Sequence, residues 1–346
     1  MRILGIETSC DETAAAIIEG KSASKKVRLL SNVISSSLSL HAATGGIIPE
    51  IAAREQVKLI IPVIEKALKG TEIEIIDVIA VTIGPGLIGS LLVGVETAKT
   101  LSYVYKKPLI PVNHLYGHIY ANWIENENVN SNDIDFPNIS LIVSGGHTDL
   151  VLIKNHGEIK WLGGTRDDAA GEAFDKIGRL LELPYPGGPA IEKIASLGNI
   201  SRFNFPKPLI DSNDFDFSFS GLKTAALREI LKLKENNNDK LTEADTQDVC
   251  ACLQKTIIDI LISKTLKAAE RYKAKSILLG GGVAANQKLR DELKSSIANS
   301  QSSIKLFAPT KILCTDNGAM IATAAFFNHN ESKWQKLTAT PELYFN

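Results

Sequence analysis

At 346 residues, with 38 Lys plus Arg against 39 Asp plus Glu, the chain is long enough for two domains and carries a net charge of −1. That balance excludes a global basic field for nucleic acid, although a local stripe can still serve an RNA partner. An apolar content of 44% is that of a soluble globular protein, four cysteines are too few for a disulfide framework and fit a reducing cytosol, and no apolar run reaches the ~18 residues of a membrane span.

Residues 2–7 (R-I-L-G-I-E) are a short apolar run ending in a turn, and Ala14–Ile18 is another; they read as a hairpin, with a third strand near Val27–Ser35. The N-terminus turns polar within six residues, so no signal peptide is expected. The turn Gly5-Ile-Glu-Thr-Ser-Cys-Asp-Glu-Thr13 offers hydroxyls and backbone N–H groups that can hold phosphate oxygens, with Asp11 and Glu12 near a metal or a leaving group. A plain hairpin turn with solvated acids is the other reading.

Pro49–Leu68 has helical periodicity, with proline near its start, where helices tolerate it. Asp77–Ile83 is a buried strand. It is stopped by Gly84-Pro-Gly-Leu-Ile-Gly-Ser90, a strand-to-helix turn that can present free N–H groups to an anion or simply pack tightly. Ile88–Tyr105 is helical, Leu109–Val112 a strand, and His114–Trp123 a helix. His114 and His118 stand four apart, so they share a face and can reach one ion. Two unrelated imidazoles are the alternative. A zinc peptidase needs H-E-x-x-H, with the glutamate as general base; Leu115 stands at that position, so that chemistry lacks its base.

The polar, Asn-rich run E-N-E-N-V-N-S-N-D-I-D marks a linker between two domains. After it the opening theme returns. Ile139–Val143 is a strand that ends in Val143-Ser-Gly-Gly-His-Thr148, followed by strands at Leu150–Ile153 and Ile159–Leu162. This is a weak internal duplication. The adjacent glycines let the backbone approach a ligand closely. Helical stretches follow at about 168–182, 189–197, 219–234 and 243–273. Glu172 and Asp175 lie three apart on one helix face beside Pro184-Tyr-Pro-Gly-Gly-Pro189, and carboxylates so placed can take ribose hydroxyls; a solvated acidic face is the alternative. Ser276–Leu279 is a strand into Gly280-Gly-Gly-Val-Ala-Ala-Asn286, where three glycines clear space for a flat ligand and Asn286 caps helix 286–298 or bonds the ligand. After a last strand, Ile304–Phe307, the acidic turn Cys314-Thr-Asp-Asn-Gly-Ala-Met320 leads into helix 317–327. With the two histidines it completes an imidazole–imidazole–carboxylate set suited to a divalent metal. Neither a P-loop nor a dinucleotide fingerprint is present. Alternating strands and helices predict an α/β protein with mixed sheets.

Ten stretches, in order from residue 5 to residue 322, resemble the tRNA threonylcarbamoyladenosine-synthesising transferases, the TsaD family once classed as glycoprotein endopeptidases (Gcp). They are G-I-E-T-S-C-D-E-T, H-A-A-T-G-G-I-I-P-E-I-A-A-R, G-P-G-L-I-G-S-L-L-V-G, V-N-H-L-Y-G-H-I-Y-A, V-S-G-G-H-T, A-G-E-A-F-D-K, Y-P-G-G-P, F-S-F-S-G-L-K-T, G-G-G-V-A-A-N and C-T-D-N-G-A-M-I-A. The resemblance implies an actin-like, Hsp70-like ATPase fold of two ribonuclease-H-like domains around a nucleotide cleft, at 1–124 plus 316–346 and at 138–315. It implies transfer of threonylcarbamoyl from its adenylate to N6 of adenosine 37 in tRNAs that read codons beginning with A. It makes His114, His118 and Asp316 ligands of one divalent metal, iron (Fe2+) ahead of zinc. It places Val143, Ser144, Gly145, Gly146, His147, Asp175, Gly188 and Asn286 on an adenine nucleotide, threonylcarbamoyl-AMP or ATP, and Asp11 and Glu12 near the reacting carbonyl. Implied partners are the tRNA anticodon loop, a TsaB-like paralogue and a TsaE-like small P-loop ATPase, in the cytoplasm and without a membrane. Lysines and arginines along 223–234 and 264–275 offer contacts for the RNA backbone, with solvated helix faces as the alternative. The chain departs from the family at Gln56, where histidine is common. Glu7 stands where sugar kinases and actin carry aspartate, which argues against an ordinary kinase. A metal-dependent glycoprotein endopeptidase and a non-catalytic ATP-binding scaffold are the competing classes.

Overall fold

The computed structural model describes residues 1–21, 25–38, 40, 46–125, 133–300 and 302–345. Most of the Asn-rich linker, 126–132, and the first five residues of the H-A-A-T-G-G motif, 41–45, lie outside the described residues. The chain divides into two compact units: Met1–Ile134 with Asn155–Ile159 and Pro309–Asn346, and Asp135–Lys154 with Lys160–Ala308.

In unit 1, β1 (Arg2–Glu7), β2 (Glu12–Glu19) and β3 (Arg28–Ser36) form an antiparallel meander. Helix α1 (Pro49–Leu68) starts on its proline and ends on Lys69 in the left-handed conformation. Strand β4 (Val78–Gly84) pairs parallel with β1, helix α2 (Ile88–Tyr105) follows, and β5 (Leu109–Asn113) pairs parallel with β4. Leu4, Ile6, Ala15 and Ile17 pack against Ile60, Val63 and Ile64 of α1 and Val95 and Ala98 of α2. Side-chain alternation sends Gly5 and Glu7 of β1 to the opposite face. Helix α3 (His114–Tyr120) follows β5 directly. The helix expected to reach Trp123 tightens into a 3-10 turn at Ala121–Trp123, where the Asn122 side chain donates to the Ile119 carbonyl.

In unit 2, β6 (Asn138–Val143) and β7 (Thr148–Asn155) are antiparallel, and β8 (Glu158–Gly164) continues the sheet. Helices α4 (Ala170–Leu180), α5 (Gly187–Ala195), α6 (Ser220–Glu235) and α7 (Glu243–Arg271) follow; α7 opens on a capping box between Thr242 and Asp245. Strand β9 (Ser276–Gly280) pairs parallel with β6. After α8 (Gln287–Asn299), β10 (Lys305–Phe307) pairs parallel with β9. The sheet orders β3-β2-β1-β4-β5 and β8-β7-β6-β9-β10 are the same path drawn twice, so the duplication read from the repeated strand–turn openings is real at the level of topology.

The chain returns to unit 1 with α9 (Lys311–Cys314) and α10 (Gly318–Phe327), which lies on the Gly5 face of β1. A Cβ on Gly318 would sit 2.5 Å from Ala16 N and 2.7 Å from Gly5 O, all backbone, so glycine alone lets α10 begin hard against β1 and β2. In each sheet the parallel strands end along one edge. That edge carries residues 7–11, 84–90 and His114 in unit 1, and residues 143–147 and 280–286 in unit 2. Loops at the carboxyl ends of parallel strands are where α/β folds hold ligands. No described helix is long and apolar enough to cross a membrane.

Candidate metal centre and glycine-rich turns

Strand β5 ends on Asn113, whose side chain accepts the Leu115 N–H at 2.8 Å and so starts α3 at once, fixing His114 at its first position. One turn on, His118 shares its face; the two rings meet edge-on with centroids 4.7 Å apart. Asp316 is delivered from the other side. Asn317 caps α10 by accepting the Met320 N–H at 2.9 Å and donates its amide to the Thr315 carbonyl at 2.7 Å. Asp316 Oδ1 then lies 3.6 Å from His114 Nε2 and 3.3 Å from His118 Nε2. One donor atom from each residue lies within 4.8 Å of the others.

This set fits a divalent ion. His118 is 1% exposed, yet neither of its ring nitrogens makes a hydrogen bond among the described residues. Burial pushes the His114 imidazole down, but the Asp316 and Glu7 carboxylates outweigh it and hold it up at about 9. These carboxylates favour positive charge at the site, which a bound cation would supply in the proton's place. Burial, with Asp316 and Asp11 close by, pushes Glu12 up to about 10, a sign of crowded negative charge. Burial and the same carboxylates push the Cys10 thiol up, and it is not part of the three-residue cluster.

The turn that carries Asp11 and Glu12 is held by side chains from α1, from α2 and from the residue after β3. Gln56 of α1 donates its amide to both the Cys10 carbonyl (3.0 Å) and the Glu12 carbonyl (2.9 Å). Ser90 of α2 donates to Cys10 O, and Ser37 donates its hydroxyl and its N–H to Asp11 O. The Gly84–Ser90 turn packs on the same segment, with the Leu87 N–H bonded to Ser9 O. Glu7 is fully buried: Oε1 accepts the Ser9 N–H, and Oε2 accepts from Thr82 Oγ1 and faces His114 Nδ1 at 3.1 Å. The roles of Glu7, Gln56, Ser37 and Ser90 escaped sequence reasoning. The one signal was a glutamate closing the apolar run R-I-L-G-I-E.

In unit 2, Val143 ends β6. The Ser144-Gly-Gly-His147 turn closes with the Ser144 N–H on His147 O and the His147 N–H on Ser144 Oγ. Beyond their chain neighbours, no atom of the described residues lies within 4 Å of where a Cβ would stand on Gly145 or Gly146, so room remains above the turn. Gly281, at φ 89°, abuts the Val143 carbonyl and brings the second glycine turn beside the first. Asp175 accepts the Gly187 N–H at 2.7 Å at the start of α5, next to Gly188; burial holds its carboxyl above the usual range against those backbone bonds. Asn286 caps α8 through Leu289 N and donates to Gln254 Oε1, so both its polar atoms have protein partners. Glu172 pairs with Lys176 at 2.8 Å.

One expected RNA contact is corrected. Lys264 is fully buried on the inner face of α7 and donates to Ser212 Oγ at 2.6 Å and Asp214 O at 3.0 Å, out of reach of any phosphate. Arg228, Lys273 and Lys275 stay exposed.

A family model described as tRNA N6-adenosine threonylcarbamoyltransferase, TsaD, matches residues 28–323. The protein of that name from Syntrophomonas wolfei is 46% identical over 346 residues, covering 99% of this chain and 97% of that one. The one from Bacillus subtilis is 47% identical over 327 residues, covering 94% and 89%. Among solved structures, T. kodakarensis HypF superposes with a TM-score of 0.61 at 14% identity over 94% of this chain and 47% of its own, about half its length. That likeness bears on the fold alone, and it supports the actin-like, Hsp70-like ATPase architecture of two α/β units. With a family model matched over residues 28–323 and relatives matched along nearly their whole length, the chain belongs to the TsaD family of tRNA N6-adenosine threonylcarbamoyltransferases.

Proposed function

We propose that the chain transfers the threonylcarbamoyl group of threonylcarbamoyl-AMP to N6 of adenosine 37 in tRNAs that read codons beginning with A. The observation that carries this reading is the assembly, at one strand edge of unit 1, of His114, His118 and Asp316 with the clamped Asp11–Glu12 turn, in a chain of this family. His114, His118 and Asp316 would hold the metal, iron before zinc. Bound there, the ion supplies Lewis-acid stabilisation of negative charge on the carbamoyl oxygen.

The donor is already activated as a mixed anhydride. The N6 amine attacks the carbamoyl carbon, the new C–N bond forms, the C–O bond to phosphate breaks, AMP leaves and the amine sheds one proton. Holding the reactants together can lower the barrier by several kcal/mol, up to ~7–11 in ideal cases. Asp11 or Glu12 orients the amine or takes its proton, a base role that needs the crowded carboxyl of Glu12 to be ionised first. The open Ser144–His147 turn and the Gly280–Asn286 turn are assigned to the AMP moiety, with Asp175 and Gly188 beside it. The acceptor base is single-stranded in its loop and can be splayed out, with Arg228, Lys273 and Lys275 as candidate phosphate contacts. Val57 and Ile61 of α1, with Ile88 and Leu92 of α2, are exposed apolar pairs at i and i+4, and we assign that face to a TsaB-like paralogue. The endopeptidase reading has no support at Leu115, which is buried and apolar where a general base is needed. Cytoplasmic location and a TsaE-like ATPase partner rest on the family's implied chemistry.

The test mixes the protein, the paralogue, the ATPase, threonylcarbamoyl-AMP and unmodified tRNA, and reads the nucleosides by mass spectrometry beside a glycoprotein cleavage assay. Modified adenosine that needs Asp11 or Glu12 and falls in a Val57→Asp, Ile61→Asp variant is expected. Glycoprotein cleavage without modified nucleoside, or full activity in an Asp11→Ala, Glu12→Ala double variant, would count against it.

A further inference from the structure

The geometry points to Glu7 as the positioning residue of the metal centre: its buried carboxylate accepts a hydrogen bond from the Nδ1–H of His114 and so leaves the Nε2 lone pair free to face the ion. The inference rests on the metal reading of His114, His118 and Asp316.

Glu7 is fully buried at the carboxyl end of β1, where a carboxylate is costly unless hydrogen-bonded. It has three donors in reach. The Ser9 N–H and Thr82 Oγ1 lie at 2.5 Å, and the third, His114 Nδ1, lies at 3.1 Å from Oε2. His114 Nε2 is the atom that faces Asp316, at 3.6 Å. A neutral imidazole can present a lone pair at Nε2 only when its proton is on Nδ1, and that proton needs an acceptor. Ligand histidines commonly donate that N–H to a carboxylate, which fixes the ring's tilt and raises its basicity. Ser9 Oγ, 3.2 Å from the same nitrogen, is a weaker neutral acceptor. Alternation along β1 puts Glu7 on the face that α10 covers, so the strand that begins the chain also aims the first ligand.

Glutamine at position 7 keeps the shape and inverts the chemistry. The Ser9 N–H can only donate, so the amide oxygen stays with it. The amide nitrogen then faces Thr82 Oγ1, whose hydroxyl can turn to accept, and His114 Nδ1–H, donor against donor, and so favours the tautomer that blocks Nε2.

The experiment titrates full-length, chelator-stripped protein with Co2+, using visible absorption and a competing chelator, with circular dichroism as the control for folding. Glu7→Gln is expected to bind Co2+ 10–100-fold more weakly than wild type, with altered cobalt bands. Thr82→Val removes a donor from the same carboxylate but keeps the carboxylate–imidazole bond, and is expected to bind like wild type. Wild-type affinity in Glu7→Gln overturns the inference, as does an equal loss in Thr82→Val, which would mean that Glu7 only holds the turn. A wild-type chain that binds no Co2+ overturns the metal reading itself, and with it this inference.

Discussion

Removing the side chain that presents Asp316 gives the sharpest test of how the centre is built. Asn317 is fully buried and makes two kinds of bond: it caps α10 at Met320 N, and its amide holds the Thr315 carbonyl at 2.7 Å. Asn317→Ala loses the cap, about 1 kcal/mol within a range of 0.5–2. It also strips a buried carbonyl of its donor, about another 1 kcal/mol or more. A total near 2–3 kcal/mol corresponds to a Tm lowered by about 5–10 °C in a domain of this size. Asn317→Ser keeps an acceptor at the cap position but not the reach to Thr315, so it should lose about half as much. Because Asp316 sits on the same turn, the alanine variant should also gain less from Co2+, since binding to the folded state alone raises Tm through the site's affinity. Scanning calorimetry of wild type and both variants, with chelator and with excess Co2+, measures both effects. A wild-type Tm and a full cobalt-induced shift in Asn317→Ala would refute the idea that this cap builds the centre.

Gln56 donates to two carbonyls at once, which a neutral histidine with a single N–H cannot do. Gln56→Leu should therefore lower the transfer rate by about tenfold or more through a loosened Asp11–Glu12 turn, with little change in donor affinity; an unchanged kcat would argue that the clamp is irrelevant. Because glutamine does not titrate, Gln56→His should add a limb to the pH–rate profile that wild type lacks, and identical profiles would contradict this. His156 stacks on Phe327 at 4.3 Å, and burial lowers its imidazole to about 4 from 6.5. The unfolded chain therefore takes up this proton first. The stability contribution is whole above about pH 6.5 and is lost as pH falls towards 4. The full linkage is about 3 kcal/mol, cut to about 1–2 by the ring's partial exposure. Urea melts across pH 4–7 should show this slope in wild type and a flatter one in His156→Phe; equal slopes would sink the assignment.

Much of this architecture was legible because it is written in local pattern. Pro49–Leu68 and Ile88–Tyr105 announced themselves by periodicity and by proline and glycine punctuation, and the histidine pair by its spacing of four. The repeated strand–turn–hairpin opening pointed to two like sheets, which their strand orders bear out. What stayed hidden is long-range. Glu7 meets Thr82 across 75 residues and His114 across 107, and no window on β1 reveals either. Gln56 read only as a departure from the family's histidine, because its amide bonds residues more than forty positions earlier. Lys264 belonged to a run that reads as a basic face. Only the packing of α7 against the loop at 212–214 shows that it points inward. The four-residue helix Lys311–Cys314 is too short to carry a periodic signal.

The central claim, that the His114–His118–Asp316 centre carries the transfer, is met most directly by single-turnover kinetics. Protein in excess over tRNA would be mixed with isotopically labelled threonylcarbamoyl-AMP and its partners. The rate of modified-adenosine formation would be followed in chelator-stripped, Fe2+-reloaded and Zn2+-reloaded wild type, and in the His114→Ala, His118→Ala variant. The account predicts a rate restored by about one metal ion per chain, and lower on the order of a thousandfold in the stripped protein and in the double variant. Transfer at the full rate by stripped protein, or by the variant lacking both histidines, would contradict it.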